Sequence, residues 1–251
     1  MTPLFEIDWK RQRIDVAVAS FQLFSQASNA ADSGHLILHD PDGDLALAKG
    51  DAISIRWGYP DDAALTRIFH GAVREIQASG LQTIVHLIDW QTILQARGRA
   101  ITRTWEHSTP AEIAGDLIAG TGLTLAAQAP AITIDRFPIH GLTPKEALLQ
   151  LVQWVKRETG DELRFHVRDG ALVLAKADHG QAAVHAIETG VNLIDRRPGK
   201  LGMSEVETLV APVLHSQVVT LDGARCFVEE AEYRWQSGGR LVLQVVPCAQ
   251  S

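Results

Sequence analysis

The sequence predicts a mainly β fold carrying one α+β insertion. Three observations predict it: period-two apolar alternation through about the first hundred residues, two helix openings of the form Thr-Pro-x-Glu between residues 105 and 178, and a return to short alternating runs from about Val184.

In the first stretch, Leu4-Phe-Glu-Ile-Asp-Trp9, Ile14-Asp-Val-Ala-Val-Ala19 and His35-Leu-Ile-Leu-His39 read as strands. Asp40-Pro-Asp-Gly-Asp44 stops the third, because Pro presets φ, Gly accepts positive φ and Asp side chains bond nearby backbone. Ile53-Ser-Ile-Arg-Trp57 follows, then Arg67 to Ile76 with Gly71 read as a bulge or bend. Ser79-Gly80 turns the chain into Thr83-Ile-Val-His-Leu-Ile-Asp89. Short strands at this spacing suit an antiparallel barrel or sandwich.

Near Trp105 the period changes. Thr109-Pro-Ala-Glu112 and Thr143-Pro-Lys-Glu146 are capping boxes: the Thr accepts from the N3 amide, Pro fits N1, and the Glu reaches back. Ile113, Leu117 and Ile118 line one predicted helix, which Gly120 and Gly122 stop. Leu148, Leu151, Val152 and Val155 line the other, ended by Gly160. Arg168-Asp-Gly170 joins two short apolar runs as a hairpin. From Val184 the candidate strands are Val191 to Ile194, Gln217 to Leu221, Cys226 through Trp235, and Leu241 to Val246. Asp222-Gly223 and Ser237-Gly-Gly239 are the turns. At about 65 residues this last part is short for an independent barrel and is expected to borrow strands from the first or lean on it. The boundaries read as 1–104, 105–180 and 181–251.

Composition narrows function. The 251 residues are 46% hydrophobic and 21% charged, which does not fit a disordered chain. The net charge of −7 makes a duplex-DNA reader a poor candidate, since Lys and Arg supply most of that affinity. Cys226 and Cys248 form neither a disulfide framework nor a zinc site alone. No apolar run approaches the ~18 residues of a membrane span, and the first ten residues lack a signal-peptide core. A soluble protein made in a reducing cytoplasm, or assembled there into something larger, is expected.

Candidate chemistry is sparse. His35 and His39 flank a strand-like run, so they stand roughly 13 Å apart, too far to share a metal with bonds of about 2 Å. Asp40, Asp42 and Asp44 evoke calcium. However, Gly43 falls at loop position four instead of six, and Asp51 stands where an EF-hand needs Glu, so a polar turn is the simpler reading and an irregular site stays open. Gly120-Thr-Gly122 follows a helix instead of opening one and suits a C-cap. No Gly-x-Ser-x-Gly elbow occurs. Glu106 and Asp116 are the nearest thing to paired carboxylates, and their places around a capped helix suit cap or solvent roles. Arg97, Arg99 and Arg103, and Arg196, Arg197 and Lys200, are basic stretches read as solvated faces or intersubunit links. No catalytic, cofactor-binding or metal-binding residue is nominated.

Two series of motifs rise above this background. The first is Leu36-Ile-Leu-His-Asp-Pro-Asp-Gly-Asp44, Lys49-Gly-Asp-Ala-Ile-Ser-Ile-Arg-Trp-Gly-Tyr59, Ile68-Phe-His-Gly-Ala-Val73 and Val85-His-Leu-Ile-Asp89. The second is Thr208-Leu-Val-Ala-Pro-Val-Leu214, Val218-Val-Thr-Leu221, Phe227-Val228 through Glu232-Tyr-Arg234, and the closing Val-Val-Pro247. In order, with the Thr109 and Leu142-Thr-Pro-Lys-Glu units between them, they resemble the phage tail baseplate hub proteins. That group includes late-control-D-like proteins and the N-terminal region of type VI secretion spike proteins. Ser216 or Gln217 stands where the family's last barrel carries Gly, and a His common near Arg234 is missing. The resemblance implies two tail-tube-like antiparallel β-barrels flanking a small helical module. It also implies a homotrimer whose six barrels form a pseudo-sixfold ring, joining a sixfold tail tube to a threefold tip. The expected neighbours are a tail tube or distal tail protein, a tape-measure protein and tip or spike proteins, with DNA passing through the lumen without specific binding. The expected place is the virion tail tip or baseplate, assembled in the host cytoplasm. No enzyme activity or cofactor is implied. The competing readings are a cell-wall hydrolase and a carbohydrate- or protein-binding β-module.

Overall fold

The computed structural model of the chain describes residues 3–10, 12–26, 31–40, 45–62, 64–79, 81–95, 100–177, 181–236 and 238–248. The chain is mainly β with an α+β insertion, as its patterning predicts. β1 (Leu4–Trp9) and the two-residue β2 (Gln12–Arg13) lead to β3 (Val18–Gln26), β4 (Ser33–His39), β5 (Ala52–Gly58), β6 (Thr66–Ser79) and β7 (Gln82–Asp89). A 3-10 turn at Trp90–Gln95 opens the insertion: β8 (Ile101–Ser108), α1 (Pro110–Ile118), β9 (Thr124–Gln128), β10 (Ile134–Leu142), α2 (Pro144–Thr159), β11 (Leu163–Arg168) and β12 (Ala171–Lys176). Then come β13 (Ala183–Ile187), β14 (Leu193–Pro198), β15 (Ser204–Thr208), β16 (Val218–Leu221), β17 (Ala224–Trp235) and β18 (Gly239–Pro247).

Two compact units result. One holds Met1–Ala27, Asp32–Asp89 and His179–Ser251; the other holds Ser28–Ala31 and Trp90–Asp178. The two β segments of the sequence thus share one unit, and the reason lies in β17. Its residues 224–227 pair with β16, its residues 230–235 pair with β3, and an irregularity between Val228 and Glu230 separates the halves. β18 follows β17 along its length, so one 13-stranded sheet runs β14-β15-β18-β17-β3-β4-β7-β6-β5-β1-β2, with β16 and β13 branching from β17. β3 flanks β17 over residues 230–235.

Side-chain contacts on the N-terminal side, and side-chain and backbone hydrogen bonds on the C-terminal side, tie the ends of this sheet. On the N-terminal side Phe5 of β1 meets Trp235 at 4.8 Å and Phe21 at 5.3 Å between ring centres. On the C-terminal side Asn192 donates to the Ala186 carbonyl at 2.8 Å and accepts from the Glu188 amide at 2.7 Å, tying the end of β13 to the start of β14. One apolar core fills both curls, from Ile7, Leu36, Ile55 and Trp57 to Tyr233 and Leu243.

The insertion has its own core, with Leu94, Ile113, Leu117, Leu148, Leu151, Phe165 and Leu174 all buried. Both capping boxes form as predicted. Thr109 and Thr143 accept from the amides of Glu112 and Glu146, whose carboxylates return to the Thr amides at 2.7 and 2.8 Å. Gly160, at φ +76°, ends α2 in the left-handed conformation. Replacing Thr143 with Ala is expected to cost about 1 kcal/mol in urea titrations followed at 222 nm.

Two local expectations are corrected. Residues 14–19 are not one strand: Asp15–Ala17 is a 3-10 turn, fixed by the Ile14 amide on Ile7 O at 3.0 Å and the Arg13 fork on Asp15. The strand is β3 instead, whose Phe21 and Leu23 face the core. The irregularities in β6 fall between Arg67 and Phe69 and between Val73 and Glu75, on either side of Gly71.

Candidate interaction surfaces

The polar residue types that could do chemistry are dispersed, and most carry a structural task. Asp116 accepts from Trp105 Nε1 and from Arg103, both at 2.8 Å, so it anchors α1 to β8 and does not face Glu106 across a cleft. Asp51 accepts from Trp9 Nε1 at 2.8 Å and from the Ala48 amide at 2.9 Å, and Trp9 above all holds its carboxyl below the usual range. Thr121 Oγ1 donates to Ile118 O at 2.6 Å, so Gly120-Thr-Gly122 is a helix C-cap. The thiol of Cys226 is buried in the β core and pushed up by that burial. Among the described residues no group of three His, Cys, Asp or Glu has a metal-holding arrangement. Asp42, Gly43, Asp44, Arg97 and Arg99 lie outside the described residues.

His166 of β11 is buried, and burial first and the nearby Arg168 second push its pKa down to about 3. It is therefore neutral in the fold and protonated once unfolded below its ordinary 6.5. Unfolded chains then bind the extra proton, so stability falls as pH drops from 6.5 toward 3. Urea midpoints at pH 7 and pH 4.5 should differ, and His166→Gln should flatten that difference.

Opposite the core, the sheet presents a continuous polar face. Arg234, Gln22, His35, His86 and Glu75 stand side by side across β17, β3, β4, β7 and β6. His35 and His39 stand four residues apart on β4; the cross-strand partner of His39 is Gln82 and that of His35 is His86, with ring centres 6.4 Å apart. Burial first and His86 second hold the His35 pKa down. Toward either end of the face five arginines are paired. Arg13 reaches Glu6 at 2.8 Å and Arg56 bonds Asp8; Arg197 bonds Glu205, Arg234 reaches Glu232 at 2.5 Å and Arg240 reaches Glu207 at 3.5 Å.

The outer edge of β14 offers an added strand few amide donors. The Gly199 amide bonds Met203 O at 2.9 Å, and by strand alternation this turns the backbone groups of Arg196 and Pro198 outward. Pro198 has no amide hydrogen, and the Arg196 amide is covered by Asp195 Oδ1 at 2.8 Å. Apolar side chains are exposed on this flank: Val191, Ile194 and Leu209, with Leu201 at the hairpin tip. Leu201 is 96% exposed and sits at φ +51°, a conformation that costs a non-glycine residue about 1 kcal/mol or more.

The joint between the two β segments was not visible in the sequence. Residues 210–214 form no strand, yet Val210, Ala211 and Val213 are buried. Their carbonyls accept from the chain's two tyrosines: Tyr59 Oη donates to Val210 O at 3.0 Å, and Tyr233 Oη meets Ala211 O at 3.1 Å and Val213 O at 2.7 Å. Complete burial pushes the Tyr233 phenol far above its ordinary value. Tyr233→Phe removes the phenol donor from the Val213 carbonyl, while Ala211 O keeps the Val213 amide at 2.8 Å, and is expected to cost about 1–3 kcal/mol by chemical denaturation.

No family model matches the sequence, and no curated protein matches it. Solved structures do match. The 43 kDa tail protein of prophage MuSo2 from Shewanella oneidensis superposes at TM-score 0.78 and 11% identity, with 98% of each chain covered. A tail protein from Neisseria meningitidis MC58 gives 0.72 at 13% identity, with 98% of this chain and 96% of that one covered. An E. coli type VI secretion component, described as similar to the bacteriophage T4 tail proteins gp27 and gp5, gives 0.70 at 8% identity, with 98% and 77% covered. The fold is that of phage tail proteins. The tail-protein fold accounts for why the hub-like motifs occur in order at so low an identity. Gly-Asp-x-Ile at β5 is a turn and core strand, Phe69 and Val73 are core positions of β6, and the Pro212 motif is the buried joint.

Proposed function

We propose that this chain is a structural hub of a phage tail tip or baseplate. Three copies form a ring in which residues 1–104 and 181–251 supply six tube-like barrels and residues 105–180 an insertion. The ring joins the sixfold tail tube to a threefold tip and lines the path of the DNA. Its neighbours are a tube or distal tail protein, a tape-measure protein and tip or spike proteins, and its place is the virion. The observation that carries this reading is the match to tail proteins over nearly the whole of both chains. The apolar side chains exposed on the β14 flank suit a β-rich wall that meets neighbours there.

Charge supports the same reading. The β unit carries 13 basic and 20 acidic side chains, and the insertion 10 of each, so the whole net charge of −7 belongs to the β unit. An acidic wall with several of its cations paired to carboxylates offers DNA phosphates little to hold. Such a hub performs no chemical step. Alanine at His70, His86 or Asp89 is expected to leave assembly and infectivity or secretion intact. Abolished function in one of these variants, with folding and oligomer retained in gel filtration and melting curves, would favour an enzyme instead.

A further inference from the structure

On α2 the residues Gln150, Gln153, Trp154 and Arg157 recur at helical spacing and so share one face. With Arg136 and Phe137 of β10 they line an open groove of about 680 Å³. Trp154 is half-buried at this groove, while Gln150, Gln153, Arg157 and Arg136 are exposed. The lining holds two guanidinium groups and no carboxylate. Arg157 Nε meets the neighbouring Glu158 at 2.9 Å, a contact from outside the lining. Compensation of the helix dipole explains Arg157 in the last turn of α2. It does not explain Arg136 on a strand, nor a partly exposed Trp set between two glutamines.

The occupant must supply negative charge, and the chain has a surplus of it in one place. The insertion is neutral and the β unit carries the full −7. Each copy therefore holds both a cationic groove and an acidic body that complements it. We propose that this groove receives an acidic stretch of the β unit of a second copy of the chain. The proposal rests on the ring reading and adds which surfaces meet. A contact between two different patches of identical chains is heterologous, and it closes into a ring when the rotation per subunit allows. The flat indole and the two glutamines supply apolar area and hydrogen bonds beside the charge pairs.

The test uses the full-length chain. A photoactivatable phenylalanine at Gln153 is irradiated in a mixture of isotopically heavy and light copies, and the adducts are mapped by mass spectrometry. Adducts from heavy to light copies within residues 1–89 or 181–251 are expected. In parallel, Arg136→Glu with Arg157→Glu should raise the concentration for half-assembly in sedimentation about tenfold or more, with an unchanged melting curve. Raising salt should weaken the wild-type assembly. If the wild type assembles into threes, the double variant does so equally well and the adducts fall elsewhere, the inference is overturned while the ring stands. A wild-type chain that stays monomeric in the same runs overturns both.

Discussion

Trp57→Ala is expected to remove about 3–5 kcal/mol of the roughly 5–15 kcal/mol typical of a folded domain. Trp57 is 1% exposed and packs edge-on against Phe21 at 5.1 Å and Trp235 at 5.6 Å, with Tyr233 at 5.8 Å. Those rings come from β3 and β17, so the indole bridges the two β segments of the sequence. Beneath it Gly239 is required for proximity: a Cβ there would stand 2.4 Å from Trp57 Cζ2. Truncation opens a cavity where the segments meet, and the side-chain closure around Phe5 and Trp235 cannot refill it without moving strands. Urea denaturation followed by intrinsic fluorescence checks it through the midpoint, which is read independently of the signal amplitude lost with one Trp. A midpoint within experimental error of wild type would show that the segments hold together without this ring cluster.

Gly71→Val is expected to cost about 3 kcal/mol or more, the upper end for overpacking. Gly71 lies in register between Ile53 and Asp89, and a Cβ there would meet Ile88 O at 2.3 Å and Asp89 Cα at 2.7 Å. Both are backbone atoms of the adjacent strand, so no rotamer change relieves the clash. The glycine serves close approach of β6 to β7, where the sequence suggested a bend. Even Gly71→Ala should shift the melting temperature down, because the methyl itself is the clashing group. A melting curve for either variant that matches wild type would contradict the packing of this pair.

The contrast with Trp154 shows what sequence patterning can and cannot carry. Trp57, Phe69 and Trp154 all look like core aromatics, yet Phe69 is 4% exposed while Trp154 is half-exposed at a groove. Trp154→Ala should therefore remove less stability than the other two. The helices were legible to the residue at their starts, because a capping box is a local device. The hairpin at Asp169-Gly170 was legible for the same reason, with both residues at positive φ. β8 and β15 carry no comparable local signal: β8 is mostly exposed, and β15 is only five residues. The sharing of β17 between β16 and β3 depends on pairing across some two hundred residues, as in Trp235 with Phe21, and no local pattern encodes it. Arg103 and Asp116 were legible as charged residues, but their meeting at Trp105 is a tertiary fact. The tyrosine-pinned joint at residues 210–214 was hidden for the same reason: it is an apolar non-strand segment whose hydrogen bonds come from distant side chains.

The central claim is that this chain is a wall-forming component of a tail and works by assembly. Electron microscopy of the intact particle, with the chain placed in the density, tests it most directly. The account predicts three copies in a closed ring at the end of the tail tube, with six curled β-barrels around the lumen and the insertions contacting neighbouring copies. Finding the chain as a lone subunit away from the tube axis, or absent from the assembled particle, would contradict it.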